Sequence, residues 1–368
     1  MTARNLLFSV LCLGANFAAY AHPPETTNPM KFVQISAKDR DQRSDIANHG
    51  VSIEFVRSDS VWGFANESMM NALKKDGFKI LGQFEESVGR GGHEGILDFP
   101  RKDDLYHNYA ETLSALQALE AANPEYVKLS SIGKSTEGRD LWAVHLNSDQ
   151  IDRDRGNSNK PGAIFMGNHH AREHLSVEVP LMFAEYLLKN KTDPRIKRYL
   201  DSLDIWIIPM VNPDGAEFDI ATGRYQTWRK NRSVNFDGTY GTDLNRNYGY
   251  QWGTGGSSKD TNSEVYMGKA PFSEPETQAI RDFVSSHLNS KVLLTFHTYS
   301  ELILYPWGYS KDSVNQVNPR DFKVFETMAQ KMATWNHYEP MQASDLYIAS
   351  GDTTDWAYGT HGIFAFTL

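Results

Sequence analysis

The 368-residue sequence predicts an α/β protein: a mixed, mostly parallel twisted sheet with helices on both faces, preceded by a small ferredoxin-like α+β domain. Three observations predict it. From residue 105 onward, apolar runs of strand length alternate with longer helical stretches, the pattern of a sheet covered on both sides. Ahead of that, the runs follow the order β-α-β-β-α-β of a ferredoxin-like unit. Between the two lies ESVGRGGHEG at 86–95, glycine-rich and polar, a natural linker. With 40% hydrophobic and 12% aromatic residues, the chain can fill one large core and one small one.

The elements follow in order. Arg4 precedes the apolar run LLFSVLCLGANFAA, and AYA at 19–21 has the A-x-A form of a cleavage signal, so residues 1–21 read as a signal peptide. The run is short for a membrane span, and no other apolar run is longer. Export makes the protein secreted or periplasmic. The single cysteine, Cys12, lies inside the signal, so the mature chain has no disulfide and no cysteine nucleophile. The domain at 22–85 opens with a loose Pro/Thr segment to residue 30. KFVQISA at 31–37 alternates as a strand, and the next stretch is a short helix ending at Gly50. Residues 51–65 hold two strands with a turn at Ser58–Ser60. A helix follows with Asn66 as N-cap and Gly77 past its end, and KIL closes the unit as a short strand. Residues 86–104 form the linker, where Arg90, Arg101 and Lys102 offer cleavage points.

The large domain spans 105–368. YAETLSALQALEAANP is an amphipathic helix stopped by Pro124. Strands are expected at 127–132, 140–146, 162–167, 204–211 and 292–297, with helices at 176–189 and 275–287. Pro180 is expected early in its helix, where a missing N–H costs least. The apolar ending from Ile363 to Leu368 reads as a buried strand. The net charge of −9, spread without blocks of like sign, excludes nucleic acid as the main partner, because phosphate neutralisation requires a basic surface.

The chemistry gathers in AIFMGNHHAREHLSVEVP, where a buried strand ends and a helix begins; sites in open α/β sheets lie at such carboxyl ends. His169, His170 and His174 compete. His170 and Glu173 form H-x-x-E, while His170 and His174 are a helical i,i+4 pair. The spacing alone is weak, since His22 and Glu25 repeat it in the loose N-terminal segment. His297, just after another apolar strand, strengthens it. Two histidines and a carboxylate make a three-ligand zinc site with a fourth position open for water. Zinc lowers the pKa of that water and polarises a carbonyl.

Eight motifs then stand in order: IGKSTEGRDLWAV, GNHHARE, NPDG at 212–215, WRKNR at 228–232, DLNRN at 243–247, FHTYS, YPWGY and SGDTTDW at 350–356. In content and spacing this stretch, from about Tyr106 to the end, resembles the zinc metallocarboxypeptidase family of the pancreatic carboxypeptidases and their bacterial relatives. The small domain resembles, more weakly, the family's propeptides. The resemblance implies a secreted zymogen, monomeric, with one Zn2+ per chain. It makes His170, Glu173 and His297 the ligands and leaves His169 and His174 as neighbours. It places Arg229 against the scissile carbonyl, and Asn245 and Arg246 on the substrate's terminal carboxylate. Arg172 would support a neighbouring substrate position, and Tyr347 would close over the carboxylate from a mobile loop. Asp243 would hydrogen-bond a ligand histidine and fix its tautomer. The resemblance also implies non-proline cis peptides near Thr298–Tyr299 and Pro306–Trp307.

Thr354 matches the family's pocket-floor determinant. It is uncharged, which implies a preference for neutral, apolar or aromatic C-terminal residues; Asp352, two residues away, leaves mixed specificity open. Where the family carries an arginine three residues before Arg229, this chain has Gln226. The family's general base, a glutamate, matches the position immediately after Leu368, and the last helix of the family fold follows it. A chain ending at Leu368 is therefore expected to bind zinc but to be poorly active, and to leave apolar surface exposed. Two other readings stay open: an amidase of cell-wall peptides on the same fold, and a zinc- and peptide-binding form without catalysis.

Overall fold

A computed structural model describes residues 30–84, 99–156 and 158–368. The signal segment, residues 22–29 and the linker up to residue 98 lie outside the described residues. Among the described residues, no helix is long and apolar enough to cross a membrane.

The small domain runs β1 (Lys31–Ser36), α1 (Arg40–Asn48), β2 (Ser52–Val56), β3 (Ser60–Ala65), α2 (Glu67–Lys75) and β4 (Ile80–Phe84). Its strands stand in the order β2-β3-β1-β4, all antiparallel. The caps read from sequence are present: Asn66 accepts from Met69 N at 3.0 Å, and Gly77 follows α2 with φ of 90°. Val33, Ile35, Val61, Met70 and Leu73 close its core.

The large domain continues with α3 (Tyr109–Ala122), β5 (Val127–Lys134), β6 (Asp140–Leu146), α4 (Gln150–Arg155), β7 (Gly162–Gly167), α5 (Leu175–Lys189), α6 (Pro194–Ser202) and β8 (Asp204–Ile208). After it come α7 (Pro213–Ile220), α8 (Pro275–Ser286), β9 (Ser290–Phe296), β10 (Leu302–Tyr305), α9 (Val314–Val317) and α10 (Pro319–Asn336). The chain closes with β11 (Glu339–Gln342), α11 (Ala343–Leu346), α12 (Thr353–His361) and β12 (Phe364–Thr367). The sheet order is β11-β10-β12-β9-β7-β8-β6-β5. β12, β9, β7 and β8 are parallel neighbours in the middle, and antiparallel pairings of β5, β6 and β8 close one side.

Strand alternation sorts the core into two faces. Ile164 and Met166 of β7 pack with Ile280 and Val284 of α8 and Trp356 of α12. On the other face Phe165 packs with Leu116, Leu181 and Leu200, from α3, α5 and α6. Phe325 of α10 sits 5.1 and 5.4 Å from Phe364 and Phe366 of β12. Leu175, Val179, Met182 and Tyr186 leave an exposed apolar strip along α5.

Two expectations are corrected. Pro180 does fall early in α5, which starts at Leu175, but beyond its first turn, so its missing N–H interrupts the helix ladder rather than costing least. β8 ends at Ile208, not 211, because the chain there turns toward α7, which Asn212 caps by accepting from Gly215 N at 3.1 Å. Both non-proline cis peptides are present at Thr298–Tyr299 and Pro306–Trp307.

Candidate active site

The sheet brings the histidines together. β7 and β9 are parallel neighbours with Gly167 opposite Phe296, so the loops that follow them emerge at the same edge. Gly167 is needed there: a Cβ would lie 1.9 Å from the carbonyl oxygen of Ser176, at the start of α5. The close approach of strand end and helix start frames the turn that carries His170 and Glu173.

Glu173 bridges both histidines. Its Oε1 lies 2.7 Å from His170 Nδ1 and its Oε2 lies 2.8 Å from His297 Nδ1. The two Nδ1 atoms are 3.1 Å apart. His170, Glu173 and His297 form a set whose ligand atoms all lie within 4.8 Å of one another. Two imidazoles and one carboxylate, nearly buried, are the donor chemistry of a catalytic zinc, so the residues present fit that ion. Burial works against the Glu173 carboxylate, but the two histidines outweigh it and hold it well below the usual range.

Asp243 ties this set to the rest of the site. Its Oδ1 lies 3.2 Å from His170 Nε2, and its Oδ2 accepts from Arg229 Nε at 3.1 Å and Nη2 at 2.9 Å. Burial opposes its charge; Arg229 and His170 keep its carboxyl well below the ordinary value. One carboxylate thus orients a candidate ligand and a buried guanidinium together. Asp243 also accepts from Asn245 N at 2.9 Å, fixing the tight turn at Leu244–Arg246.

That turn presents the next two residues. Asn245 Oδ1 accepts from Thr353 N at 3.0 Å and from its hydroxyl at 2.9 Å, which leaves the amide NH2 as the free end. Arg246 is 3% exposed, with Nε on Gly256 O at 3.0 Å and Nη1 on Asn245 O at 2.7 Å. His169 is buried behind the set. Its Nε2 lies 2.8 Å from Tyr248 Oη and 3.1 Å from Thr353 Oγ1, and its ring stacks 5.8 Å from His297. His174 instead bonds Asp219 at 2.8 Å, outside the set.

Two expected residues are engaged by the small domain. Arg172 is held by the small domain: Nη2 bonds Glu54 at 2.6 Å and Ser52 Oγ at 2.9 Å, while Nη1 bonds Glu264 at 2.8 Å. Glu54 also lies 3.7 Å from Arg229 Nη1. Tyr347 packs against the small domain's core. Thr354 is 3% exposed, and its hydroxyl donates to Asp352 at 2.7 Å. Gln226 bonds Thr222 at 2.6 Å. Glu54, Glu264 and Thr353 were missed in the sequence. Thr353 lies inside SGDTTDW, so its motif was the available signal; Glu54, in a strand of the small domain, carries none.

The zinc carboxypeptidase family profile (Peptidase_M14) matches residues 112–368. A zinc carboxypeptidase of Saccharothrix mutabilis subsp. capreolus is 38% identical, with the match covering 95% of this chain and 84% of that protein. Bovine carboxypeptidase A1 is 33% identical over 72% of this chain; the match spans 62% of that protein, less than two thirds of its length. The crystal structure of a carboxypeptidase A from Helicoverpa armigera shares the fold with a TM-score of 0.74, covering 93% of this chain and 88% of that one at 24% identity. The chain belongs to the zinc carboxypeptidase family. It is a metallocarboxypeptidase by descent, and Zn2+ is the ion of that family.

Proposed function

We propose that this protein is a zinc-dependent carboxypeptidase that removes the C-terminal amino acid from peptides, made as an exported zymogen whose small domain covers the site. The observation that carries the reading is the chain of contacts from the His170–Glu173–His297 set through Asp243 to Arg229, with Asn245 and Arg246 on the adjoining turn.

Zinc, when bound by His170, Glu173 and His297, supplies an activated water and polarises the scissile carbonyl. The protein's own groups do the rest. Arg229 is buried and kept charged by Asp243, so its guanidinium is a fixed donor for the oxyanion that develops at the carbonyl. Arg246 and the Asn245 amide hold the free carboxylate, which restricts cleavage to the last amide. Leu368 N donates to Thr295 O at 3.0 Å and His297 N donates to Leu368 O at 2.7 Å, so the end of β12 lies alongside His297. Glu54 supports the zymogen reading, because it occupies Arg172 and lies against Arg229, where substrate would be held. The signal-like N-terminus supports export.

The test is hydrolysis by the zinc-loaded protein, cleaved by limited proteolysis between the domains, with the C-terminal mass ladder of an L-peptide as readout. Release is expected to be abolished by a chelator and lowered about 10²–10³-fold in Arg229→Ala, as loss of an oxyanion donor does. A protein that yields no chelator-sensitive ladder refutes the carboxypeptidase reading.

A further inference from the structure

The proposed chemistry gives no task to His169, the first histidine of GNHHARE. Its ring is fully buried, and the partners of its two nitrogens are hydroxyls. Thr295 Oγ1 lies on the Nδ1 side, and Tyr248 Oη and Thr353 Oγ1 lie on the Nε2 side. A buried imidazolium with no carboxylate against it is costly, so the ring is neutral, with one nitrogen donating and the other accepting. The neighbours decide which is which.

The assignment starts at Asn245. Thr353 N, a backbone donor, lies 3.0 Å from Asn245 Oδ1 and so identifies that atom as the amide oxygen. The Thr353 hydroxyl donates to the same oxygen at 2.9 Å, and its one hydrogen is spent there. Toward His169 Nε2, 3.1 Å away, Thr353 Oγ1 can then only accept. His169 Nε2 therefore carries the ring hydrogen, which Tyr248 Oη shares as an acceptor at 2.8 Å. The bare Nδ1 accepts from Thr295 Oγ1 at 3.2 Å. That hydroxyl is spent in turn, and its oxygen accepts from His297 Nε2 at 3.4 Å, the longest link in the chain. With its hydrogen on Nε2, His297 turns a bare Nδ1 toward His170 and Glu173, where the three proposed zinc ligands meet.

We infer that His169 is a positioning residue: through the Thr295 hydroxyl it fixes His297 in the tautomer that ligates through Nδ1, with the direction of the chain set at Asn245. The inference rests on the zinc set and the carboxylate clamp of the proposed function, and it gives a role to a residue that the family resemblance leaves as a neighbour. One run of donors and acceptors joins the amide that grips the substrate's carboxylate to a ligand of the metal. Without the His169 ring, the Thr295 hydroxyl loses its acceptor and is free to donate to His297 Nε2. That favours the opposite tautomer, in which a hydrogen blocks Nδ1.

Two measurements on the full chain test this. Nitrogen NMR of the imidazole rings in the zinc-loaded protein is expected to show His169 with its hydrogen on Nε2 and a bare Nδ1. Zinc affinity, read by competition with a chromogenic chelator, is expected to fall about 10–100-fold in His169→Leu. It is expected to be largely restored in His169→Gln, whose amide offers both an acceptor and a donor, whereas a role in packing alone would favour leucine. Thermal unfolding midpoints report the fold of each variant. A His169 hydrogen on Nδ1, read in the unsubstituted protein whatever the variants do, overturns the inference. So does an unchanged zinc affinity in His169→Leu, or a glutamine variant no better than the leucine one; each of these leaves the carboxypeptidase reading standing. An unsubstituted chain that binds no zinc overturns both.

Discussion

Two carboxylates show how burial and neighbours set opposite outcomes. Asp243 stays ionised because Arg229 and His170 flank it. Asp243→Asn keeps the shape but withdraws the charge that orients His170, and zinc affinity is expected to fall about 10–100-fold, measured by competition with a chromogenic chelator. Glu276 has no such cation. It accepts from Thr136 N at 2.8 Å and Asn231 Nδ2 at 3.0 Å, and burial pushes its carboxyl up to about 7 from an ordinary 4.5. The folded chain therefore holds a proton that the unfolded chain releases above pH 4.5. Between about pH 4.5 and 7 the folded state binds more protons, so stability falls as pH rises through that window. Urea unfolding at pH 5 and pH 7 checks this. The stability difference between the two pH values is expected to shrink in Glu276→Gln, and an unchanged difference assigns the pH dependence elsewhere.

At the scale of elements, the start of α5 is the tightest joint. Gly167→Ala pushes a methyl onto the Ser176 carbonyl at 1.9 Å, where no flexible side chain can yield. We expect a loss of about 1–3 kcal/mol in denaturant unfolding, with weaker zinc binding because the turn bearing His170 and Glu173 shifts too. The sequence made much of this level legible. The caps at Asn66 and Gly77, the parallel strands at 162–167 and 292–297, and the three-residue metal set all carry local signals of period, turn chemistry or motif. β10 and β11 are short and neighbour each other across a long helical insertion, so no local period announces their pairing.

At the scale of the molecule, the two domains share no strand, and their cores are separate. Polar and aromatic contacts join them. Arg40 pairs with Asp345 at 2.8 Å, Arg43 donates to Leu346 O at 2.6 Å, Gly256 N donates to Asn48 Oδ1 at 2.9 Å, and Phe55 stacks on Tyr299 at 6.4 Å. The buried Glu54–Arg172 pair lies at the centre, both side chains less than a tenth exposed. Glu54→Ala leaves Arg172 with Glu264 alone, and the hold of the small domain is expected to weaken by ~3 kcal/mol, roughly 10²-fold. Size-exclusion of the cleaved protein reads this as earlier separation of the two pieces, and co-elution at wild-type dilution would assign the grip to the outer contacts.

That separateness of the two cores has a consequence for dose. While the chain is continuous between Phe84 and Phe99, the small domain meets its partner at an effective concentration on the order of millimolar. Once cut, the same contacts face ordinary bimolecular mass action. On the proposed zymogen reading, cleaved protein at high concentration stays covered, and dilution alone uncovers it, with no further chemical event required.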